Sequence, residues 1–321
     1  MWRDMLGRLP LSAVTIPTTT DDAGHVDAGK RAGQRVSART GVRLADHTTL
    51  RLGGSARRFV EATHTDAVID AVRAADASGD PVLVLGGGSN LVVGDDGFAG
   101  TVIKIANAGR AIAGRPDAVP DESTGRTDAV PTHDDDTVHI DVAAGEHWDD
   151  VVAWTVDNGL GGLECLSGIP GLAGATPIQN VGAYGVEVAE LLVSVDVLER
   201  VSGARRTVPA AELGLAFRTS VLKGTDRAVV LGMRFALHGD GLSRPIRYAE
   251  LARTLDVEVG ARVPAADARA AVLELRRRKA MVLDANDHDT WSAGSFFVNP
   301  ILSPTELDDV LRRIAEHTDD R

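Results

Sequence analysis

The sequence predicts an α+β fold. Three observations point to it. Segments of strand character and of helical period mix without the regular alternation of a doubly wound sheet. A glycine-dense and nearly uncharged stretch, residues 159–190, interrupts them, and no internal repeat is visible. With 321 residues, 44% apolar and 25% charged, the chain can bury a sizeable core in two or three domains.

The elements follow in order. Residues 1–39 carry turn formers and scattered charge without periodicity, which predicts a poorly ordered leader. Residues 48–62 hold strand-like stretches broken by Gly53 and Gly54. Over 66–77 apolar residues recur at Ala67, Val68, Ala71, Val72 and Ala75, a helical spacing that Gly79 and Pro81 end. PVLVL at 81–85 reads as a buried strand, and another is expected at 101–105. Residues 109–136 are rich in Gly, Pro, Asp and Thr and predict a mobile insertion. A strand at 137–145 and a helix over 149–156 precede the glycine-dense stretch. Strands are expected at 192–199 and 228–236, then helices over 265–282 and 304–316. The last begins Ser303-Pro304 with Glu306 completing a capping box.

Composition excludes several classes. A net charge of −12 repels a polyanion, so nucleic acid is not an expected partner. A single cysteine, Cys165, leaves no disulfide framework and no Cys-rich metal site, so no metal is expected. No segment has the length of a signal sequence or a membrane span, which predicts a soluble protein without membrane contact; the single cysteine fits a reducing cytoplasm, and a monomer is expected.

Two motifs carry the chemistry. In PVLVLGGGSNLVV, 81–93, a strand delivers the chain into Gly86-Gly87-Gly88 followed by Ser89 and Asn90. Glycines let backbone N–H groups approach an anion. No Gly-Lys-Ser/Thr follows, and Leu91 stands where a dinucleotide fingerprint needs its third glycine. The bland alternative is a flexible turn. In SGIPGLAGATPIQNVGAYG, 167–185, Thr176, Gln179 and Asn180 sit in an almost uncharged run. Backbone and amide groups lining a flat apolar ligand such as a flavin ring explain it; a glycine-rich packing loop is the alternative. A third feature is Arg276-Arg277-Arg278-Lys279, the densest basic cluster in an acidic chain. On one helix Arg276 and Lys279 would share a face and meet a pyrophosphate; a solvated basic face is the alternative.

These motifs occur in order with Phe217-Arg218-Thr219-Ser220 and Gly294-Ser295-Phe296-Phe297-Val298-Asn299-Pro300. As a set they resemble the UDP-N-acetylenolpyruvoylglucosamine reductase family, over roughly residues 44–300. The resemblance implies an FAD-binding domain of the vanillyl-alcohol-oxidase type made of two subdomains, here 40–107 and 108–236. A substrate-binding α+β subdomain follows at 237–321. It implies noncovalent FAD, NADPH as co-substrate and a UDP-sugar enolpyruvate as substrate, in cell-wall peptidoglycan synthesis. Residue by residue, Gly86, Gly88, Ser89 and Asn90 would hold the FAD pyrophosphate, and Thr176, Gln179, Asn180 and Gly182 would line the flavin. Arg218 would stabilise charge on the substrate carboxyl, and Ser295 would protonate its C2. Tyr184, Tyr248, Lys279 and Asn299 match substrate-contacting positions.

The match has departures. Phe217 and Thr219 replace the commoner Tyr and Asp around the arginine. The family's active-site glutamate lies beyond the serine motif. Glu306 and Glu316 are the only glutamates after Pro300 and neither matches. No glutamate is therefore assigned, and an incomplete, truncated third subdomain is the expectation. Two other readings stay open. One is an FAD-linked oxidase, though no His or Cys stands in an obvious flavin-attachment loop. The other is a catalytically weak flavin-binding remnant.

Overall fold

The structure, a computed structural model, describes residues 37–114, 136–292, 294 and 300–318. Two five-stranded sheets form its frame. The first holds β1 (Ala38–Arg39), β2 (Val42–Arg43), β3 (Ser55–Ala62), β4 (Val82–Leu85) and β5 (Phe98–Ile105). Its order is β1-β3-β5-β4, with β2 also on β3. β3 and β4 both run parallel to β5, with Val60 and Val84 flanking Ile103. A parallel pair needs a crossover, supplied by α1 (Thr65–Ser78). Its buried stripe is Ala67, Val68, Val72 and Ala75, and Gly79 ends it in the left-handed conformation at φ 69°.

The second sheet is antiparallel throughout. It comprises β6 (Arg110–Gly114), β7 (Thr137–Ala143), β10 (Leu192–Glu199), β11 (Arg205–Pro209) and β12 (Ala228–His238), ordered β11-β10-β12-β7-β6. Between β7 and β10 lie α2 (Trp148–Asp157) and a short hairpin, β8 (Gly182–Ala183) with β9 (Val186–Glu187). After β12 come α3 (Ala249–Leu255), α4 (Ala265–Arg277) and α5 (Pro304–Thr318).

The main core joins these layers. Val68 and Val72 of α1 and Ile103 of β5 share it with Ile140, Val195 and Phe235 of the second sheet, Trp148 of α2, and Leu251, Val272 and Leu275 of α3 and α4. Leu44, Ala56, Phe59, Leu85 and Val102 form a smaller cluster. Ion pairs reinforce the seams: Arg200, just after β10, bonds Asp76 of α1, and Arg269 of α4 grips Asp149 of α2 through two bonds.

Several expectations need correction. Strand β1 lies inside the expected leader, whose residues 1–36 are outside the described residues. The expected mobile insertion opens as β6, an exposed edge strand that pairs with β7; residues 115–135 lie outside the described residues. Helix α4 stops at Arg277 rather than 282, because the chain wraps back. The Met281 N–H donates to the Arg276 carbonyl, and Ala280 takes φ 51°. Arg276 and Lys279 therefore do not share a helix face. At α5 the capping box is present: Ser303 N donates to Glu306 and Glu306 N to the Ser303 hydroxyl.

Candidate active site

The three glycines after β4 answer three different demands. A Cβ on Gly88, at φ 64°, would stand 2.0 Å from the His47 carbonyl oxygen. A Cβ on Gly87 would stand 2.6 Å from the Cα of Gly171. These two permit the loop to be packed between its neighbours. Gly86 differs: among the described residues nothing lies within 4 Å of its Cβ position, and the residue lines the groove between the sheets. A side chain there would fill the space a ligand needs.

The second glycine segment docks on the first. Ser89 Oγ donates to the Pro170 carbonyl, and Trp148 N donates to the Gly171 carbonyl. Asn90 Nδ2 donates to Gln179 Oε1 at 3.2 Å, so the two motifs meet side chain to side chain. Three cavities of about 350, 230 and 270 Å³ follow one another. The first, by Val229 and Val230, shares Gly86, Leu172 and Ala175 with the second. The second runs along the glycine loop and shares Ser89, Asn90, Pro170 and Gln179 with the third. The third is the cleft beside Arg218. An extended ligand with a charged middle and two flat ends suits this sequence of spaces.

Arg218 and Arg276 both line the cleft. Arg218 Nη2 donates to the Gly182 carbonyl at 2.6 Å and Nη1 to that of Asn180. Arg276 donates to the carbonyls of Gly168 and Met281, while its buried Nε has no partner among the described residues. Burial pulls the Arg276 guanidinium below its ordinary value. Three non-glycine residues near this point, Asn180, Tyr184 and Arg218, hold positive φ of 46°, 49° and 55°. Such strain persists where the surroundings enforce it, and it gathers at functional sites.

Not every expected residue faces the groove with its side chain. Asn180 is fully buried: its Nδ2 donates to Glu187 and the Ala216 carbonyl, and its Oδ1 accepts from Ala189 N. Its amide shapes the wall from behind. Thr176 lines the groove, yet its hydroxyl donates to the Ala173 carbonyl. Gly86, Gly88, Ser89, Asn90, Gln179 and Gly182 are brought together on the cavity walls. Tyr184 follows the cleft-lining Ala183, and its ring meets that of Tyr248 edge to face at 5.4 Å. Lys279 joins them, paired with Glu250 at 2.9 Å. Burial raises the Tyr184 phenol, and the Glu250 bond raises the Lys279 ammonium. Gly294 lines the cleft; Ser295 and Asn299 lie outside the described residues.

Sequence reasoning missed three groups here. Lys104 of β5 bonds the Gly86 carbonyl from within the protein, and burial lowers its pKa. A lysine in an apolar strand was the available signal. Glu164 is wholly buried, accepts N–H bonds from Gly162 and Arg244, and is raised by burial. Glu250 belongs to α3, which was not foreseen at all.

Comparison with known proteins fits this geometry. A family model described as an FAD binding domain matches residues 56–116 and 123–207. The UDP-N-acetylenolpyruvoylglucosamine reductase of Saccharopolyspora erythraea is 60% identical over 274 residues, 85% of this chain and 70% of that protein. The chain belongs to the UDP-N-acetylenolpyruvoylglucosamine reductase family. The reductase of Thermobifida fusca is 54% identical over 86% of this chain and 72% of its own length. The crystal structure of the Thermus caldophilus reductase aligns with TM-score 0.52 and 25% identity, over 86% of this chain and 80% of that one. Like other members of the reductase family, the chain carries an FAD binding domain, and its α+β architecture is that of the family.

Proposed function

We propose that this chain reduces the enolpyruvyl group of a UDP-N-acetylglucosamine enolpyruvate with NADPH, using noncovalent FAD, in peptidoglycan synthesis. One observation carries the reading: the groove along Gly86–Asn90 and Gln179 opens into a cleft on which two arginines converge. A site that must bind a flavin and then hold a carboxylate needs that combination.

The residues fit FAD. The open side of Gly86 and the polar pair Ser89 and Asn90 suit a pyrophosphate. Gln179, with the backbone of Val181 and Gly182, offers hydrogen bonds at the edge of a flat ring. Asn180 acts by holding that wall. When bound, FAD carries a hydride from NADPH to C3 of the enolpyruvyl group.

The remaining work belongs to the chain. Negative charge gathers on the substrate carboxyl as C3 is reduced. Arg218, fixed by the Asn180 and Gly182 carbonyls, supplies a preorganised guanidinium for it in a partly desolvated cleft. Arg276 also lines this cleft and adds a second positive charge to the same wall. Tyr184 and Tyr248 cover the cleft mouth, and Lys279 meets the diphosphate. Ser295 delivers the proton to C2 and Asn299 contacts substrate; these two roles rest on the motif match alone. A division at about residues 107 and 236, a monomeric state and a cytoplasmic location complete the proposal. Among the described residues no helix is long and apolar enough to cross a membrane.

The test is spectroscopic and chemical. The purified protein should be yellow, and acid precipitation should release all its flavin as FAD. Anaerobic NADPH should bleach it, and the enolpyruvyl UDP-sugar should restore the colour with formation of UDP-N-acetylmuramate. A folded but colourless protein would refute the proposal.

A further inference from the structure

Tyr184 follows the cleft-lining Ala183, and near it stands a carboxylate, Glu250, on the side where an anionic substrate would arrive. Glu250 Oε2 accepts a 2.9 Å bond from Lys279 Nζ, and the two side chains remain 35% and 43% exposed. Glu250 sits in the first turn of α3, two residues after Tyr248, the N-cap residue. The Tyr248 ring meets that of Tyr184, the neighbour of cleft-lining Ala183, and Lys279 and Glu250 lie close enough to Tyr184 to couple to it electrostatically. Among the described residues Lys279 is the one cation paired with Glu250. The arrangement is paradoxical for a purely structural tie. A binding surface for a diphosphate would bring together Tyr184, Tyr248 and Lys279 and gain nothing from an acid among them.

We infer that Glu250 is a displaceable counter-ion of Lys279, holding the ammonium in the free protein and yielding it to the diphosphate of the incoming sugar nucleotide. The inference rests on the proposed role of Lys279. An exposed ion pair between flexible side chains is weak, so the exchange is accessible. A diphosphate brings about two negative charges to the ammonium in place of one, so Lys279 gains by the exchange. An anion with a single charge gains nothing, which makes the pair a filter for doubly charged ligands. Once displaced, Glu250 remains near the bound diphosphate as a like charge, so its presence lowers affinity as well as delaying access. Its fixed place in α3, beside the Tyr248 loop, keeps it there.

The experiment measures the dissociation constant of the enolpyruvyl UDP-sugar on the oxidised FAD-loaded protein by calorimetry, for Glu250→Gln, Lys279→Ala and the double variant. Glu250→Gln should tighten binding about two- to five-fold, the range of a weak exposed pair. Lys279→Ala should weaken binding, and in that background Glu250→Gln should lose most of its gain, as coupled residues do. Thermal midpoints of all three should stay close to the parent. Unchanged or weaker binding in Glu250→Gln, or a full gain that persists without Lys279, overturns the inference. If Lys279→Ala binds as the parent does, the substrate role of Lys279 fails instead, and the inference with it.

Discussion

At the glycine loop the backbone leaves no room: a Cβ on Gly88 would meet the His47 carbonyl at 2.0 Å, and Gly87 faces Gly171 almost as closely. At the rim, Lys279 is held by one 2.9 Å ion pair and Tyr248 by one ring contact, with both side chains open to solvent. On the proposed assignment, the cofactor side is specified by the main chain and the substrate side by exchangeable side chains. A permanently bound flavin tolerates a rigid groove, whereas a substrate that enters and leaves needs contacts that can be traded. Substitutions on the two sides should therefore fail differently.

The largest effect is expected from Gly88→Ala. It strains a left-handed residue and drives a methyl group into a backbone carbonyl. Loss of both flavin and a cooperative thermal transition is expected; a yellow protein of parental stability would contradict the packed-backbone reading. Arg218→Ala comes next. Reoxidation of the reduced protein by the sugar nucleotide should slow about 10²- to 10³-fold, the weight of one preorganised charge-stabilising donor. Reduction by NADPH should stay within a few-fold. Stopped-flow traces of both half-reactions decide this, with FAD affinity measured alongside because Arg218 also bonds the Gly182 carbonyl.

Gly86→Ala sharpens the comparison. Its Cβ meets nothing among the described residues, so the apoprotein should fold normally while FAD binding weakens about tenfold or more. Fluorescence titration of the apoprotein measures it, and simultaneous loss of stability would merge Gly86 with Gly88. The smallest effect concerns the α2–α4 seam. Burial alone would raise the Asp149 carboxyl, but the bonds from Arg269 and the Gly168 N–H outweigh it and hold it below the usual range. A folded pKa below the unfolded one gives stability that is present above about pH 3.9 and is lost as pH falls through the folded value. Asp149→Asn should cost about 1–2 kcal/mol at neutral pH, discounted for its partial exposure. It should also flatten the acid limb of thermal stability below about pH 4, and an unchanged limb would count against the seam.

The same contrast explains what was legible in the sequence. Gly86–Asn90 and Gln179 could be read because glycines and amides in an uncharged run report backbone demands directly. Strand β10 was bounded to the residue, and the capping box at Ser303 was visible, because both obey local rules. Lys279 was misplaced because a basic run carries helical propensity past Arg277, and only the tertiary wrap at Met281 stops it. Asn180 was expected to face the flavin, yet its partners Glu187, Ala189 and Ala216 come from segments that only folding brings near. Glu250 was invisible because a lone acid in a short helix has no pattern, and its meaning comes from Lys279, distant in sequence and close in space.

On the proposed function, this groove and cleft form a reductase site for an enolpyruvyl UDP-sugar. The most direct test follows NADPH oxidation by the purified 321-residue chain in air, with and without UDP-N-acetylglucosamine enolpyruvate. NADPH should be consumed rapidly only when the sugar nucleotide is present, in amounts matching the UDP-N-acetylmuramate formed. Consumption at the same rate without it would mark an oxygen-using oxidase and contradict the account.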